Sequence, residues 1–422
     1  MADPSPSEPF RKVFAGRRIL FIHQNFPGQY PHLARQFLAW GCDVKALAIT
    51  GRGIAGVDMR RYTVPEGGAL LPPSDPVSDI EVKTRRALAC ATAMRRLAGE
   101  GFEPDLILAH PGWGESLFCK DVWPGVPLVA YGEFYYGADG SDHGFDPEFS
   151  RVTVDSRIRL RLRNTALLHA YQAADLIMCP TEWQRSCLPP DVQHKVRVVF
   201  DGIDTAVVKP RAGASVRLGR VDKPVTRKDS VLTFINRNLE PYRGFHVFMR
   251  ALPEIQRRNP GTRCVIVGEN SVSYGSPPRD HKTWREAMLA EVGGRIDTSR
   301  LHFVGRIGYP DYVQLLQVST CHVYMTYPFV LSWSCIESLA AGCRVVASDT
   351  QPVRDAITDG ENGLLFPFFD REALVATVTR VLENPHGFDR LAARAIERAK
   401  RDFDLETVCK PRQLEALAEL LA

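Results

Sequence analysis

The feature that most constrains this sequence is an alternation, over most of its length, between short β-rich apolar runs and longer amphipathic stretches. In the first half the apolar runs are residues 18–23, 44–49, 105–110, 127–131, 176–180 and 196–200. Strands that are apolar throughout and separated by helices are typical of parallel sheets covered by helices on both faces. The pattern therefore predicts a doubly wound α/β domain.

A second domain of the same kind is predicted in the second half of the chain. The polar and basic segment 209–230 interrupts the alternation, and its Pro and Gly residues are typical of a linker. Apolar runs then restart at residues 231–235, 264–267, 301–304, 322–327, 344–348 and 363–366. We expect a disordered leader at 1–16, Rossmann-like domains at 17–208 and 231–404, and a helix at 405–422. That helix can pack on either domain, and we place it on the first.

The composition excludes several classes of protein. With 45% hydrophobic and 24% charged residues, the chain is not a disordered one. A net charge of +4, from 53 Lys and Arg against 49 Asp and Glu, is too balanced to predict a nucleic-acid partner. No apolar run approaches the ~18 residues that span a bilayer. The ten cysteines include no CxxC pair and indicate reduced core residues, hence a cytoplasmic protein.

One segment leaves a membrane contact open. Residues 157–163 read RIRLRLR, with Arg alternating with Ile or Leu. On a helix these charges form a solvated face, which is the interpretation we favour. The alternative is a peripheral contact with anionic headgroups at the inner face of a membrane.

Residues able to carry chemistry follow the predicted strands, where the loops of an open parallel sheet bind ligands. In the first half His23 and Gly28 follow one strand, His110 follows another, and Glu133 follows the next. In the second half Arg237 follows the first strand after the linker. Two sheets with such edges predict one ligand cleft between two domains.

The second half offers the pattern of a phosphate site. Arg237 and Arg243 precede a helix that starts near Gly244, and two guanidinium groups beside a helix N-terminus suit a diphosphate. The alternative is a solvated surface pair. Further on, we expect Ser332-Trp333-Ser334 to cap a helix with Glu337 in its first turn, where the carboxylate can accept two ribose hydroxyls. The alternative there is a capping carboxylate on an ordinary βα turn.

These segments resemble a known family, the retaining glycosyltransferases of family 4, which have the GT-B architecture of two Rossmann-like domains facing each other across a cleft. The resemblance runs from about Arg18 to Asn384 and is carried by LILAHPGWG, NRNLEPYRGFHVF and IESLAAGCRVVASDTQPVRDAITDGENGLLF. It implies transfer of a sugar from a nucleotide-diphosphate sugar to a hydroxyl acceptor in polysaccharide, lipid-linked glycan or glycolipid biosynthesis.

The resemblance also implies roles for individual residues. By position, Arg237 and Arg243 hold the donor diphosphate, Glu337 binds the ribose, the backbone of Gly305, Arg306 and Ile307 faces the base, His110 lies beside the transferred sugar, and Gly28 lets the first loop approach the phosphates. The catalytic set is His110, Arg237, Arg243 and Glu337.

The chain departs from the family at the first acidic position of the donor segment. Phe329 stands eight residues before Glu337, where the family has a carboxylate, and serines flank Trp333 where it has glycines. Ser332, or the backbone N–H groups of Trp333 and Ser334, are the candidates to replace the lost contact with the sugar.

The reaction implied by the resemblance needs no metal and no enzyme nucleophile. In this family retention is attributed to front-face attack, in which the departing phosphate takes the acceptor proton. Fixed cations can stabilise the leaving group, and we interpret the only Asp-x-Asp, at 402–404, as surface charge. We therefore expect no metal and no cofactor beyond the donor substrate.

The acceptor pocket is the least determined part of the chain. Glu133, Tyr135 and Asp139 are candidates to line it, because carboxylates and aromatic faces suit hydroxyl-rich ligands; a solvated acidic loop is the alternative. A non-catalytic relative that binds nucleotide sugars or serves as a partner subunit is the second functional hypothesis. Donor binding without turnover would distinguish it from an enzyme.

Overall fold

The computed structural model describes residues 6–65, 71–217 and 224–421. The chain divides into two compact units: the first runs to Gly202 and takes in the segment from Leu405 onward, and the second is Ile203–Asp404. The segment 209–230, predicted as a linker, lies inside the second unit, and part of it, 218–223, falls outside the described residues.

The first unit contains, within its described residues, a seven-stranded sheet with the order β5-β3-β1-β6-β7-β8-β9. All its pairings are parallel. The strands are β1 (Arg18–Ile22), β2 (Asn25–Phe26), β3 (Asp43–Ala48), β4 (Thr50–Gly51), β5 (Asp58–Arg61), β6 (Leu106–Ala109), β7 (Leu128–Tyr131), β8 (Leu176–Cys179) and β9 (Val196–Val198), of which β2 and β4 form a separate ladder. The helices are α1 (Arg11–Phe14), α2 (Pro31–Ala39), α3 (Ser78–Gly99), α4 (Cys119–Val122), α5 (Val154–Ala173) and α6 (Glu182–Cys187).

Strand β1 shows why this sheet carries helices on both faces. Its side chains alternate: Phe21 packs in a cluster with Phe37 of α2, whereas Leu20 packs in another cluster with Met94 of α3. All four side chains are fully buried. A strand buried on both sides belongs in the middle of a doubly wound sheet, and the predicted α/β class is confirmed for this unit.

The predicted disordered leader is wrong for the residues that the structure describes from position 6 onward; residues 1–5 lie outside them. A 3₁₀ turn at Glu8–Phe10 leads into α1. Phe14 at its end is fully buried, with its ring 5.1 Å from that of Phe37 and 5.9 Å from that of Trp40. Burial of a large aromatic side chain stabilises an ordered segment that its polar composition conceals.

The second unit contains, within its described residues, a six-stranded sheet with the order β14-β13-β12-β15-β16-β17. Its pairings are parallel as well. The strands are β10 (Ser215–Val216), β11 (Val225–Thr226), β12 (Val231–Asn238), β13 (Arg263–Glu269), β14 (Leu301–Gly305), β15 (Cys321–Tyr324), β16 (Val345–Ser348) and β17 (Leu364–Phe366), of which β10 and β11 pair antiparallel on their own. The helices are α7 (Phe245–Arg258), α8 (Trp284–Val292), α9 (Tyr309–Val318), α10 (Trp333–Ala340), α11 (Gln351–Arg354), α12 (Arg371–Glu383) and α13 (Asp389–Phe403).

Both main sheets reverse their strand order at one point, between β1 and β6 in the first unit and between β12 and β15 in the second. In open α/β sheets this reversal opens a crevice at the carboxyl ends of the two strands, because the flanking connections leave to opposite sides. Each unit therefore has one place, fixed by topology, where loop residues can hold a ligand.

The end of the chain returns to the first unit. The π-helical segment Leu405–Cys409 leads into α14 (Lys410–Glu419), whose Leu414 and Leu417 pack in the cluster that contains Phe21. The side-chain amide of Gln413 donates to the Phe200 carbonyl at 3.1 Å. No helix within the described ranges is long and apolar enough to cross a membrane.

The Asp-x-Asp motif is not all surface charge, as the sequence suggested. Asp402 pairs with Arg398 at 2.9 Å on α13. Asp404, in contrast, is buried and accepts a hydrogen bond from the hydroxyl of Thr205 in the same unit. A buried carboxylate needs such a hydrogen-bond donor. Asp404 is the last residue of the second unit and forms a β-bridge with Ile203, the first residue of that unit.

Candidate functional site

The strand-order reversal of the first unit brings two histidines together. His23 follows β1 and His110 follows β6, and their ring centroids lie 5.2 Å apart. The backbone N–H of Asn25 donates to Nδ1 of His23 at 2.9 Å, and that of Gly112 donates to Nδ1 of His110 at 3.1 Å. Because both Nδ1 atoms accept hydrogen bonds, the ring proton of each neutral histidine is on Nε2.

His23 is a neutral, structural member of this pair. Burial, with a smaller contribution from His110, lowers its pKa from 6.5 to about 3. Its Nε2 donates to the side-chain carbonyl of Gln29 at 2.9 Å. The ring also explains Gly28, which has φ +52° and whose added Cβ would lie 2.2 Å from Nε2 of His23. The predicted approach of Gly28 to a phosphate stays a prediction; contact with the imidazole already requires glycine.

His110 is held more tightly still. It is 1% exposed and its ring stacks against Trp113, with ring centroids 4.4 Å apart, and against Tyr131, with ring centroids 5.3 Å apart. Its Nε2 lies 3.3 Å from a carboxylate oxygen of Glu133, in a geometry that makes no hydrogen bond among the described residues. The structure thus brings together His110 and Glu133, which the sequence analysis treated as separate catalytic and acceptor candidates.

The other two acceptor candidates have different surroundings. Tyr135 is half-buried, and burial raises the pKa of its hydroxyl. Asp139 is exposed, and each of its carboxylate oxygens accepts from a terminal guanidinium nitrogen of Arg157 at 2.7 Å. These hydrogen bonds lower the pKa of Asp139. An acceptor role for either residue stays a prediction, as does a membrane contact by the helix to which Arg157 belongs.

The strand-order reversal of the second unit brings together cationic groups. Arg237 lies at the end of β12, exposed and without a partner among the described residues. Arg243 ends the 3₁₀ turn Pro241–Arg243 and is 6% exposed. Its Nη1 donates to the Thr326 hydroxyl at 2.7 Å and to the Val330 carbonyl at 3.1 Å. Both acceptors follow β15, so this guanidinium joins the two loops that flank the reversal.

Arg243 is buried with no carboxylate at ion-pair distance among the described residues. Burial opposes its charge, but the hydroxyls of Tyr324 and Tyr274 and the more distant carboxylate of Glu240 outweigh burial and raise its pKa. The Tyr274 ring centroid lies 5.4 Å from the guanidinium carbon. An arginine keeps its charge at any physiological pH, and a buried charge with no directly paired counter-charge is strongly disfavoured. The arrangement therefore favours an anionic ligand at this place.

The helix that follows Arg243 adds to the positive electrostatic potential at this place. α7 begins after Gly244, which has φ +70° and whose added Cβ would lie 2.5 Å from the side chain of Met325. Glycine is required there by both the backbone and the close approach. No side chain caps this N-terminus, and uncapped N–H groups at the positive end of a helix dipole favour anions.

A buried carboxylate that the sequence analysis did not single out positions the neighbouring loop. Glu240 accepts hydrogen bonds from the backbone N–H groups of Ser273 at 3.1 Å, Tyr274 at 3.2 Å and Gly275 at 3.0 Å. Three such bonds fix the loop after β13 and hold Tyr274 beside Arg243. In the sequence Glu240 stands between Arg237 and Arg243, but the backbone N–H groups that it binds lie 33–35 residues further along the chain.

An aromatic cluster occupies the position where the resemblance implies a carboxylate. Phe329 is 4% exposed, with ring centroids 4.8 Å from Tyr274 and 5.7 Å from Tyr242. Ser332 is the N-cap residue of α10 by position, but its hydroxyl bonds Tyr324 at 3.0 Å and Ser334 at 2.8 Å rather than the helix. Trp333 is the first residue of α10 and is 43% exposed.

Glu337 differs from its prediction in place and in partners. α10 begins at Trp333, so Glu337 lies in the second turn and not the first. It is 7% exposed; one carboxylate oxygen accepts from the Tyr309 hydroxyl at 2.8 Å and the other from the Tyr312 hydroxyl at 2.7 Å. Burial raises the pKa of this carboxyl group, against the opposite effect of the two hydroxyls. The tyrosines, 28 and 25 residues away, were missed from sequence.

The segment predicted to face the base directly precedes these tyrosines. Gly305 ends β14 with φ +66° and open space around it, and Arg306 is exposed, 3.9 Å from Glu269. Ile307 and Gly308 then lead into α9. Their contact with a base stays a prediction.

The sequence matches two models of protein families. Residues 41–208 match the glycosyl transferase family 4 group, and residues 220–402 match the glycosyl transferases group 1.

Curated relatives agree with the family models but are distant. The chain is 28% identical over 214 residues to a glycogen synthase of Mycobacterium tuberculosis, covering 51% of this chain and 46% of that protein. It is 29% identical over 182 residues to a phosphatidyl-myo-inositol mannosyltransferase of Mycolicibacterium smegmatis, covering 42% of each. A D-inositol 3-phosphate glycosyltransferase of Nocardioides is 27% identical over 330 residues, covering 74% of this chain and 68% of its own length. The chain thus spans less than half the length of the relatives it matches first.

Solved structures share the fold across nearly the whole chain. A sucrose-phosphate synthase from Thermosynechococcus elongatus has a TM-score of 0.72 at 16% identity, covering 96% of this chain and 99% of that one. Anabaena Alr3699/HepE in complex with UDP-glucose has a TM-score of 0.66 at 17% identity, covering 96% and 100%. The predicted two-domain α/β fold is confirmed by these similarities.

Proposed function

The chain belongs to the group 1 glycosyl transferases with a family 4 N-terminal region, and from this premise we propose that it transfers a sugar from a nucleotide-diphosphate donor to a hydroxyl acceptor. One observation carries the proposal: Arg243, buried and with no carboxylate at ion-pair distance among the described residues, joins the loops that follow β12 and β15. A diphosphate is the anion whose charge and hydrogen-bond acceptors suit such a guanidinium.

The donor fits residues of the second unit. We assign the diphosphate to Arg237, Arg243 and the N-terminus of α7, and the ribose to Glu337. The base is assigned to the backbone of residues 305–307. Because HepE was solved with UDP-glucose, a uridine diphosphate sugar is the first donor to test. The acceptor is placed among the hydroxyl-bearing glycans and lipid-linked glycans, since the relatives include a glycogen synthase and an inositol-lipid mannosyltransferase by name.

The proposed chemistry follows from the charges. As the bond between the sugar and the diphosphate breaks, negative charge grows on the leaving oxygen, and fixed donors aimed at that charge lower the barrier. The acceptor oxygen forms the new bond to the sugar, and its proton passes to the departing phosphate. We propose retention of configuration and no metal requirement. For His110 we propose a hydrogen bond from its Nε2 proton to the transferred sugar, with Glu133 beside it.

A specific observation supports the second candidate, a non-catalytic nucleotide-sugar-binding relative. Phe329 and its aromatic neighbours fill the position of the first acidic residue of the family, so one contact that the resemblance assigns to the sugar is missing. Retention of Arg237, Arg243, Glu337 and His110 favours the enzyme.

Donor screening tests the proposal and separates the two candidates. Thermal shifts of the full chain are measured with UDP-, GDP- and ADP-sugars, and turnover is then followed by nucleoside diphosphate release with glucan and inositol acceptors. Stabilisation by one donor with release above background supports the enzyme, since a ligand that binds only the folded state raises its stability. Stabilisation without release across the acceptors supports the binding relative. No stabilisation by any nucleotide sugar would contradict both.

A further inference from the structure

The two tyrosines on Glu337 are not equivalent. Tyr309 is the first residue of α9 and is 51% exposed, whereas Tyr312 is one turn further into the helix and partly buried. Both hydroxyls donate to the same carboxylate at nearly equal distances, 2.8 and 2.7 Å. The rings lie 5.8 Å apart, centroid to centroid. One hydroxyl is therefore held inside the unit, and the other reaches the carboxylate from an exposed ring.

The hydroxyl of the exposed Tyr309 ring is the one that can leave. A residue at the first helical position has its N–H outside the helical ladder, and helix ends fray; Gly308 before it provides no side-chain cap. When another donor takes its place on the carboxylate, the phenol exchanges its hydrogen bond for one with water, so the replacement costs little free energy. The hydroxyl of Tyr312 cannot move into water in this way, because it is buried against the carboxylate and the helix continues on both sides of the residue.

Glu337 needs a donor on each oxygen. The carboxylate is buried, and a buried carboxylate that loses a hydrogen bond without replacement is strongly destabilised. In the free chain the exposed Tyr309 supplies the donor on one oxygen. A ribose hydroxyl has the same chemistry, an O–H that donates, so it can take over that oxygen and leave the carboxylate fully bonded.

We propose that Tyr309 is a placeholder for the donor nucleotide, whose ribose hydroxyl displaces the phenol from Glu337, while Tyr312 is a positioning residue that stays bonded and keeps the carboxylate aimed. This inference rests on the proposed function, because it takes the nucleotide ribose as the ligand of Glu337. The two residues then have opposite effects on binding: the Tyr309 hydroxyl competes with the nucleotide, and the Tyr312 hydroxyl assists it.

Removal of single hydroxyls tests the proposal. Tyr309→Phe and Tyr312→Phe each keep the ring, so packing is matched between them. Binding of UDP, GDP and ADP and of their 2′-deoxy and 3′-deoxy forms is measured by calorimetry on the full chain. We expect Tyr309→Phe to tighten the nucleotide that binds by about 2- to 10-fold, the equivalent of one net hydrogen bond. We expect Tyr312→Phe to weaken it by a similar factor.

The deoxy nucleotides separate displacement from a merely structural effect. The gain from Tyr309→Phe should disappear for the nucleotide that lacks the displacing hydroxyl and persist for the other deoxy form. Arg257→Ala, which removes an exposed ion pair with Glu254, serves as the control variant, with affinity equal to that of the unmodified chain. Thermal melts of all variants check that they fold.

The outcomes distinguish the inference from the function beneath it. If no nucleotide binds, or Glu337→Gln leaves ribonucleotide affinity unchanged, the proposed ribose site is wrong and the placeholder with it. If Glu337→Gln weakens binding but Tyr309→Phe also weakens it, or tightens all deoxy forms equally, only the placeholder role is overturned.

Discussion

The two units of this chain have the same topology at their ligand crevices and opposite chemistry. At the strand-order reversal between β1 and β6, the first unit places His23 and His110, held by backbone N–H groups and aromatic rings. At the strand-order reversal between β12 and β15, the second unit places Arg237 and the buried Arg243. The fold fixes the position of a site, and the side chains alone decide whether it suits a neutral or an anionic ligand.

The difference has a physical basis in how each site treats charge. Burial holds His23 neutral, with a pKa of about 3, so this imidazole adds no positive charge to the first crevice. Arg243 cannot lose its proton, so the second crevice keeps a permanent positive charge. The proposed transfer from an anionic donor to a hydroxyl acceptor calls for both kinds of environment.

The largest expected effect concerns the charge of the second crevice. Arg243→Ala should lower kcat/KM for the donor by about 100-fold or more, the usual loss when one donor to a developing anion is removed. Arg243→Lys keeps the charge without the guanidinium fork and should lose less. A steady-state transfer assay measures both, with Arg257→Ala as the matched control. Equal activity of Arg243→Ala and the control would remove Arg243 from the donor site and end the contrast between the crevices.

The next prediction concerns the packing of the first crevice. Gly28→Ala should destabilise the protein by about 2–4 kcal/mol, because its Cβ would lie 2.2 Å from the His23 ring at φ +52°. Gly41→Ala is the matched control: it has φ +76° but nothing within 4 Å, so it carries only the backbone strain. Thermal and urea unfolding measure the difference. Equal losses for the two variants would show that the imidazole does not fill this space.

A smaller effect concerns pH. The pKa of His23 is about 3 in the folded chain and about 6.5 when unfolded. The folded state therefore binds this proton less tightly, and the stability that neutral His23 contributes is present above pH 6.5 and lost as the pH falls toward 3, by at most about 1.4 kcal/mol per pH unit.

The measurement compares the stability of the unmodified chain with that of a His23 variant, because other buried histidines also make the stability depend on pH. His322 in the second unit also has a pKa lowered to about 3 by burial. The stability advantage of the unmodified chain over His23→Gln, followed by urea unfolding from pH 8 to pH 5, should shrink as the pH falls. An advantage that stays constant would show that His23 has the same pKa in the folded and the unfolded chain.

The smallest expected effect is that of Asp139→Asn. Its ion pair with Arg157 is exposed on both sides, and such pairs contribute little to stability, so the melting temperature should not change measurably. If Asp139 lines the acceptor pocket, KM for the acceptor should still rise by a few fold. The control variant is Asp155→Asn, which changes an exposed carboxylate in the first turn of the helix that carries Arg157. Unchanged KM in both variants would leave Glu133 and Tyr135 as the acceptor candidates.

The sequence was sufficient for the fold and for the loops that carry His110 and Arg243. The apolar alternation predicted both sheets, and because the ends of parallel strands are ligand positions, His110 and Arg243 could be singled out from their place after a strand. The contacts of those groups were not predictable, because they depend on which loops meet. Glu337 shows this best: its place near a helix start was predicted within one turn, but Tyr309 and Tyr312 reach it from another helix.

Local composition was a poor guide where one buried residue dominates a polar segment. The leader was predicted as disordered because of its Pro and Ser residues, yet Phe14 is fully buried against Phe37 and Trp40. Likewise Asp404 was interpreted as surface charge, but it is buried against Thr205. In both cases long-range contacts, absent from any local pattern, determine the outcome.

The central claim is that Arg243 binds the diphosphate of the donor, and a crystal structure of the chain with an intact nucleotide sugar tests it most directly. The account predicts diphosphate oxygens within about 2.7–3.2 Å of the Arg243 guanidinium nitrogens, with Arg237 turned toward them and a ribose hydroxyl on Glu337. A bound nucleotide sugar whose phosphates lie away from Arg243, with that guanidinium still without an anion, would contradict it.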